Sequence, residues 1–293
     1  MTAEKQINGI SFDVEEYFHA LNFRQAVHGL NRTPDSRVER GVHAILEILV
    51  RSSTRATFFI LGKVAKEHPG LIRSIADQGH EIASHGDSHK TAMELGPDRF
   101  RNEAEASRKR LEDITGKQVA GFRASTFSIT RETLWALDVL HEEGYRYDSS
   151  IFPVHHDRYG IPSFPSRPVK VITRSRSELI EFPPLTLAMP GANLPCGGGG
   201  YFRLFPLFIT CWAVSRMNAR NYPAVIYLHP WEFDPDQPHL PLGGLKTFRH
   251  YCNISRTGGR LESLLRRFSF DTLEALCTGS RNWDLFHLEN LDS

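Results

Sequence analysis

The feature that most constrains this 293-residue chain is an alternation of short β-branched or aromatic runs with stretches of helical spacing. "INGISF" (7–12) predicts a strand, after which Val38, Val42, Ile45, Leu46 and Leu49 recur at helical intervals. "ATFFIL" (56–61) predicts a second strand, and "HEIAS" (80–84) a third. Between them, "KVAKEHPGLIRSIADQG" reads as a helix broken near Pro69 and ended by Gly79. "PDRFRNEAEASRKRLEDITG" is a charged surface helix with Pro97 near its start and Gly116 at its end, and "GFRAS" (121–125) a fourth strand. Thr130 caps "RETLWALDVLHEEG", which stops at Gly144. Such alternation implies parallel strands joined by right-handed crossovers, hence an α/β fold. Five or more units favour a closed or nearly closed barrel over an open sheet.

From about 151 to 200 the pattern weakens as Pro and Gly accumulate, with "VKVIT" and "ELIEF" as strands within the stretch. A helix at about 205–219 and a strand "AVIYL" (224–228) restore it, and helices at about 257–267 and 271–278 follow, Asp271 and Glu274 having capping-box spacing. No repeat or Ser/Gly-rich linker divides the chain. One catalytic domain over 1–293 is expected, with a barrel core at about 7–235 and a helical extension at about 236–293.

Lys plus Arg (35) nearly cancels Asp plus Glu (34), so a nucleic-acid partner or a polyanionic substrate is not expected. The four cysteines, 196, 211, 252 and 277, have neither metal-finger spacing nor the density of a disulfide framework, and read as reduced thiols. "MTAEKQINGISFDVEEYF" has no apolar core of a secretory signal, and "FPLFITCWAV" (205–214) is too short to span a bilayer and reads as a buried helix. A soluble, cytoplasmic chain without a transmembrane segment is the expectation; composition says nothing of oligomeric state.

The polar residues of interest follow predicted strands. Asp13 and Glu15 follow "INGISF", His85 and His89 follow "HEIAS", Arg123 closes "GFRAS", and His229 comes directly after "AVIYL". In a parallel barrel every strand's carboxyl end opens on one face, so these groups can converge. Asp13 and Glu15, two apart, share a side of an extended backbone, while Glu16 points away. Two imidazoles and one carboxylate, Glu15 or Asp13, leave an open position on a divalent metal, the arrangement of a hydrolytic zinc site. The other carboxylate would then serve as base. Gly86, Asp87 and Ser88 make "SHGDSH" a turn, unlike the helical His-Glu-x-x-His of zinc proteases. Glycines 197–200 lack the Gly-Lys-Ser/Thr ending of a phosphate loop and read as a flexible loop or, alternatively, as backbone lying close to a ligand.

Five ordered segments, "SFDVEEYF", "SHGDSH", "GFRASTFSIT", "YRYDSS" and "YLHPWEFDPDQP", resemble the NodB-type polysaccharide deacetylases, which remove acetyl groups from sugars. "GGGGYFRL" and "FRHYCNISRTGGRLESLLRRF" further resemble the subgroup associated with bacterial exopolysaccharide clusters and the exosortase system. The resemblance implies a distorted (β/α) barrel with fewer than eight strands and N-deacetylation of N-acetylhexosamine units in a polysaccharide or its precursor. Enzyme and exopolysaccharide assembly would then meet at the inner membrane. It also implies Asp13 as base, Glu15, His85 and His89 as ligands to zinc (or Co, Mn, Ni or Fe), Arg123 paired with Asp13, and His229 as general acid. Asp148 takes the position of an acidic residue that orients this histidine. Val14 separates two acids that many members have adjacent, and Ser125 replaces a common proline. The competing readings are a C–N hydrolase of a small cyclic amide or ureide and a non-catalytic glycan-binding assembly protein.

Overall fold

Each apolar run of the first half becomes a strand, and each helically spaced stretch a helix that covers it. The structure, a computed structural model, describes residues 6–19, 23, 34–156, 158–239, 244–279 and 281–291. Its strands are β1 (Ile7–Val14), β2 (Thr57–Ile60), β3 (Glu81–Ser84), β4 (Gly121–Phe122), β5 (Tyr147–Asp148), β6 (Val169–Ile172), β7 (Glu178–Glu181), β8 (Thr186–Met189), β9 (Ala192–Pro195), β10 (Val225–Leu228), β11 (Ser269–Asp271) and β12 (Leu285–His287). The helices are α1 (Val38–Arg51), α2 (Gly62–Glu67), α3 (Pro69–Asp77), α4 (Ala92–Thr115), α5 (Trp135–Glu142), α6 (Gly199–Leu204), α7 (Leu207–Asn218), α8 (Gly244–Tyr251), α9 (Thr257–Arg267) and α10 (Leu273–Thr278).

The main sheet runs β10-β1-β2-β3-β4-β5-β7, all parallel, before β6 and β12 extend its edge. Beyond β7 the chain returns to the first strand of this series. Leu185 N donates to the Val225 carbonyl (2.9 Å), Cys196 N to the Leu185 carbonyl (3.3 Å), and Tyr227 N to the Gly197 carbonyl (2.9 Å). The ring is therefore closed by irregular backbone, a distorted barrel of the expected kind. The glycine run is not a flexible loop. A Cβ at Gly198 would lie 1.8 Å from the Tyr227 carbonyl oxygen, so only glycine lets this backbone approach β10.

The α1 pattern holds: Val38, Val42, Ile45, Leu46 and Leu49 are all buried. The charged helix α4 begins five residues before Pro97, at a Thr91–Glu94 capping box, and is kinked at Gly96 (φ 67°). Near the C-terminus, Thr272 and not Asp271 caps α10, its hydroxyl accepting from Ala275 N, because Asp271 is still paired in β11. The "extension" is more than helical. β11 adds to β1, β12 adds to β6, and Leu273, Leu276 and Trp283 close the barrel floor against Phe59, Tyr147 and Val225. Burying each large apolar side chain there contributes roughly 1.5–3 kcal/mol. The apolar run 205–214 is also only half buried. Thr210, Cys211, Ala213 and Val214 face inward on α7, whereas Phe208 and Trp212 are 65% and 49% exposed. All four cysteines are free thiols, as expected. Among the described residues no helix is long and apolar enough to cross a membrane.

Candidate active site

Register decides which side chains enter the barrel. Asp13 lies level with Phe59, which lies level with Ala83, and Phe12 lies level with Leu228. Alternation then turns Asp13, Glu15, His85 and His229 to the same inner side. Ser84 pairs with Phe122, so Arg123 is inward as well. The ends of β1, β3 and β10 thus deliver their polar groups to one cavity of about 360 Å³, walled by Phe127, Tyr227 and Trp231, with Arg123 after β4 buried behind Asp13.

Glu15, His85 and His89 are buried, and one ligand atom from each lies within 4.8 Å of the others. The His85 ring uses Nδ1 on the Arg123 carbonyl (2.8 Å), which leaves Nε2 as its ligand atom and fixes the ring. Glu15 faces His89 Nε2 directly. His89 reaches this position through a left-handed backbone (φ 60°) after Gly86 (φ 74°), so "SHGDSH" is a turn, as its composition implies. Burial pushes the Glu15 carboxyl up, but His89, His229 and His85 outweigh it and hold the group well below the ordinary carboxylate range. Burial lowers the His85 pKa, outweighing the opposing pull of Asp13 and Glu15. Two imidazoles and a carboxylate held below its ordinary range are a donor set that fits one divalent metal.

Asp13 stands beside this group, bound differently. Its Oδ1 accepts from Arg123 Nη1 (2.6 Å), and that guanidinium also donates to Ser11 Oγ (2.9 Å), the Ser149 carbonyl (3.0 Å) and Ser149 Oγ (2.7 Å). Arg123 is wholly buried over the Phe59 ring. A charge so fully satisfied is fixed in place, and it fixes Asp13. Ser125 offsets the missing proline: its hydroxyl donates to the His85 carbonyl (3.2 Å), tying the Arg123 loop to the metal-binding loop. Glu16 points outward as read, yet it is buried, accepting from Ser36 Oγ and from Arg37 N (3.0 Å). It anchors the start of α1.

His229 Nε2 lies 3.9 Å from Asp13 Oδ2 and 3.8 Å from Glu15 Oε1. Its orienting partner is not Asp148. Phe122 pairs with Asp148, so Asp148 falls on the outer side, opposite in phase to Arg123. There it accepts from Ser150 and shares a buried carboxyl pair with Glu181, its cross-strand neighbour. The residue that holds His229 is Glu232, whose Oε1 accepts from His229 Nδ1 (2.9 Å) and N (3.0 Å). Glu232 is in turn bound by Arg203 Nε (2.7 Å), and both are buried. Trp231 stacks on the His229 ring at 5.0 Å, with His250 on the indole's other contact at 4.4 Å. Burial lowers the His229 pKa, but Glu232, Glu15 and Asp13 together outweigh it and raise it. Glu232 and Arg203 were missed in the sequence; the signal was an acid three residues after a histidine across a proline-led turn. His19, stacked on His89 at 5.9 Å, is a further imidazole that sequence spacing did not single out.

The Asp148–Glu181 pair carries its own prediction. Burial pushes Asp148 up to about 6 and Glu181 well above its ordinary range. The folded state therefore binds more protons than the unfolded chain, and stability falls as pH rises from 3.8 through about 6. Asp148→Asn should flatten this slope, on the order of 1–3 kcal/mol, and leave turnover near wild type. Thermal melts across this range check the first part. Loss of turnover with the fold intact would restore Asp148 to the site.

Comparison with known proteins agrees with this fold. Residues 31–147 match the polysaccharide deacetylase family and residues 149–278 a domain of unknown function, DUF3473. The likeness to the polysaccharide deacetylase family rests on residues 31–147. It is 31% identical over 139 residues to peptidoglycan deacetylase-like protein FGM2 of Gibberella zeae, covering 47% of this chain and 40% of that one. It is 30% identical over 119 residues to the peptidoglycan-N-acetylmuramic acid deacetylase PdaA of Bacillus subtilis, covering 40% and 43%. The chain thus spans about two fifths of the length of these curated relatives. A Mycobacterium smegmatis protein crystallised as a candidate polysaccharide deacetylase superposes with a TM-score of 0.57 at 20% identity, over 98% of this chain and 88% of that one. His85, His89 and Arg123 lie in the first matched segment, His229, Glu232 and Arg203 in the second, and Asp13 and Glu15 before both.

Proposed function

We propose that this protein is a divalent-metal-dependent hydrolase that removes N-acetyl groups from N-acetylhexosamine units of a polysaccharide or its precursor, releasing acetate. The observation that carries the reading is the pairing, across one cavity, of a fixed carboxylate with a raised-pKa imidazole beside a three-ligand cluster. Base and acid together are what amide hydrolysis needs and a passive binder does not. The names of the relatives support the acetylated-glycan class of substrate.

Glu15, His85 and His89 would hold the metal, zinc being the best match to two imidazoles and a carboxylate. When bound, the metal supplies Lewis-acid polarisation and acidifies water in its coordination sphere. Asp13, oriented by Arg123, accepts the proton of the attacking water. His229 carries a proton toward the amide nitrogen, because an amine leaves only after protonation. Glu232 and Trp231 hold the ring so that Nε2, not Nδ1, faces the cavity.

Glu232→Gln removes the carboxylate that does most to raise the His229 pKa against burial. The high-pH limb of turnover should then move down by about one pH unit or more, because a general acid is lost as pH rises through its pKa. A pH–rate profile on an N-acetylated oligosaccharide checks this, and an unmoved limb would assign Glu232 a purely structural place. Stoichiometric metal in a His85→Ala, His89→Ala double variant would overturn the ligand assignment.

A further inference from the structure

On α7, Phe208, Trp212 and Arg216 follow one another at four-residue intervals and share one face of the helix. That face has no cover among the described residues: Phe208 is 65% and Trp212 49% exposed, with Leu204 40% and Met189 50% exposed nearby in the chain and at the β8–β9 turn. Beside it lies a second cavity, about 320 Å³, between α7 and the β8–β9 hairpin, lined by Arg167, Arg216, Arg220, Ser166, Ala188 and Tyr222 among others. No Asp or Glu lines it. Arg167 is held by Asp284 (2.9 Å), but no carboxylate pairs with Arg216 or Arg220 among the described residues. Arg216 lies over the Trp212 ring, 5.4 Å from its centroid, and so joins recess to stripe.

We propose that this face docks on an anionic lipid bilayer, with the recess taking acidic headgroups and Phe208, Trp212 and Met189 entering the interface. Uncompensated arginines flanked by exposed aromatic and aliphatic side chains match the charge and the layering of such a surface. A second copy of the chain is a poorer occupant, since a two-fold contact here would set arginine against arginine. A neutral glycan is poorer too, because Arg216 covers the indole face on which a sugar would stack. Leu204 also lines the active-site cavity, so docking would bring the site's rim to the membrane. The inference does not depend on the hydrolytic reading.

Co-sedimentation with vesicles of phosphatidylcholine, alone or mixed equally with phosphatidylglycerol, tests it. The full chain should pellet with the mixed vesicles only, less so at high salt. Arg216→Gln with Arg220→Gln should weaken partitioning about thirtyfold, about fivefold per charge. Phe208→Ser with Trp212→Ser should abolish it. Neither pair touches the active site, so hydrolysis of a small soluble aryl acetate should be unchanged and reports that the variants fold. No pelleting of the wild-type chain, equal pelleting of the arginine variant, or binding of acidic oligosaccharides in place of vesicles would each overturn the proposal.

Discussion

Asp13→Asn should lose turnover on the order of 10²–10⁴-fold, the range for general acid–base catalysis, while its metal content stays near wild type. The two halves of this expectation come from different contacts. Asparagine cannot take a proton from water, so the attacking oxygen is no longer activated. The carboxylate's partner, however, is Arg123 and not the imidazoles: Asp13 Oδ1 sits 2.6 Å from Arg123 Nη1, while Glu15 faces His89. Asparagine's carbonyl oxygen can still accept from Arg123, which keeps its other bonds to Ser11 and Ser149. Folding should therefore survive. Metal analysis and kinetics on one batch separate the outcomes. Loss of metal together with turnover would mean that Asp13 and Glu15 have their roles exchanged.

His229→Ala should cost on the order of 10²–10⁴-fold on an N-acetyl sugar and far less on an aryl acetate. The distinction lies in the leaving group. An amine must be protonated to depart, whereas an activated phenol leaves unaided. Against burial, Glu232 raises the His229 pKa, and Trp231 stacks on the ring. Equal losses on both substrates would show that His229 positions the site without donating a proton.

The barrel was legible because strand runs alternate with helically spaced stretches, and the candidate site because its polar residues follow those strands. Asp13 and Glu15 inward with Glu16 outward follows from the pleat alone. The same rule, carried from Phe122 to its partner Asp148, puts Asp148 outside, but that register is set by β4–β5 pairing over only two residues. Nothing local announces it. Glu232 was hidden for another reason: it reaches back to its own histidine through a turn begun by Pro230, and its counter-charge, Arg203, is far off in the chain. The glycine run was misread because its constraint is a tertiary approach to Tyr227, invisible without the closed ring. The exposed face of α7 likewise looks in sequence like any apolar helix.

The most direct test is acetate release from a panel of N-acetylglucosamine and N-acetylmuramic acid oligosaccharides, with metal measured on the same preparation. The proposed chemistry predicts one divalent metal per chain, acetate in step with new sugar amine, and loss of both on metal removal. Metal-loaded protein that releases no acetate from any member, or that opens only small cyclic amides, would contradict it.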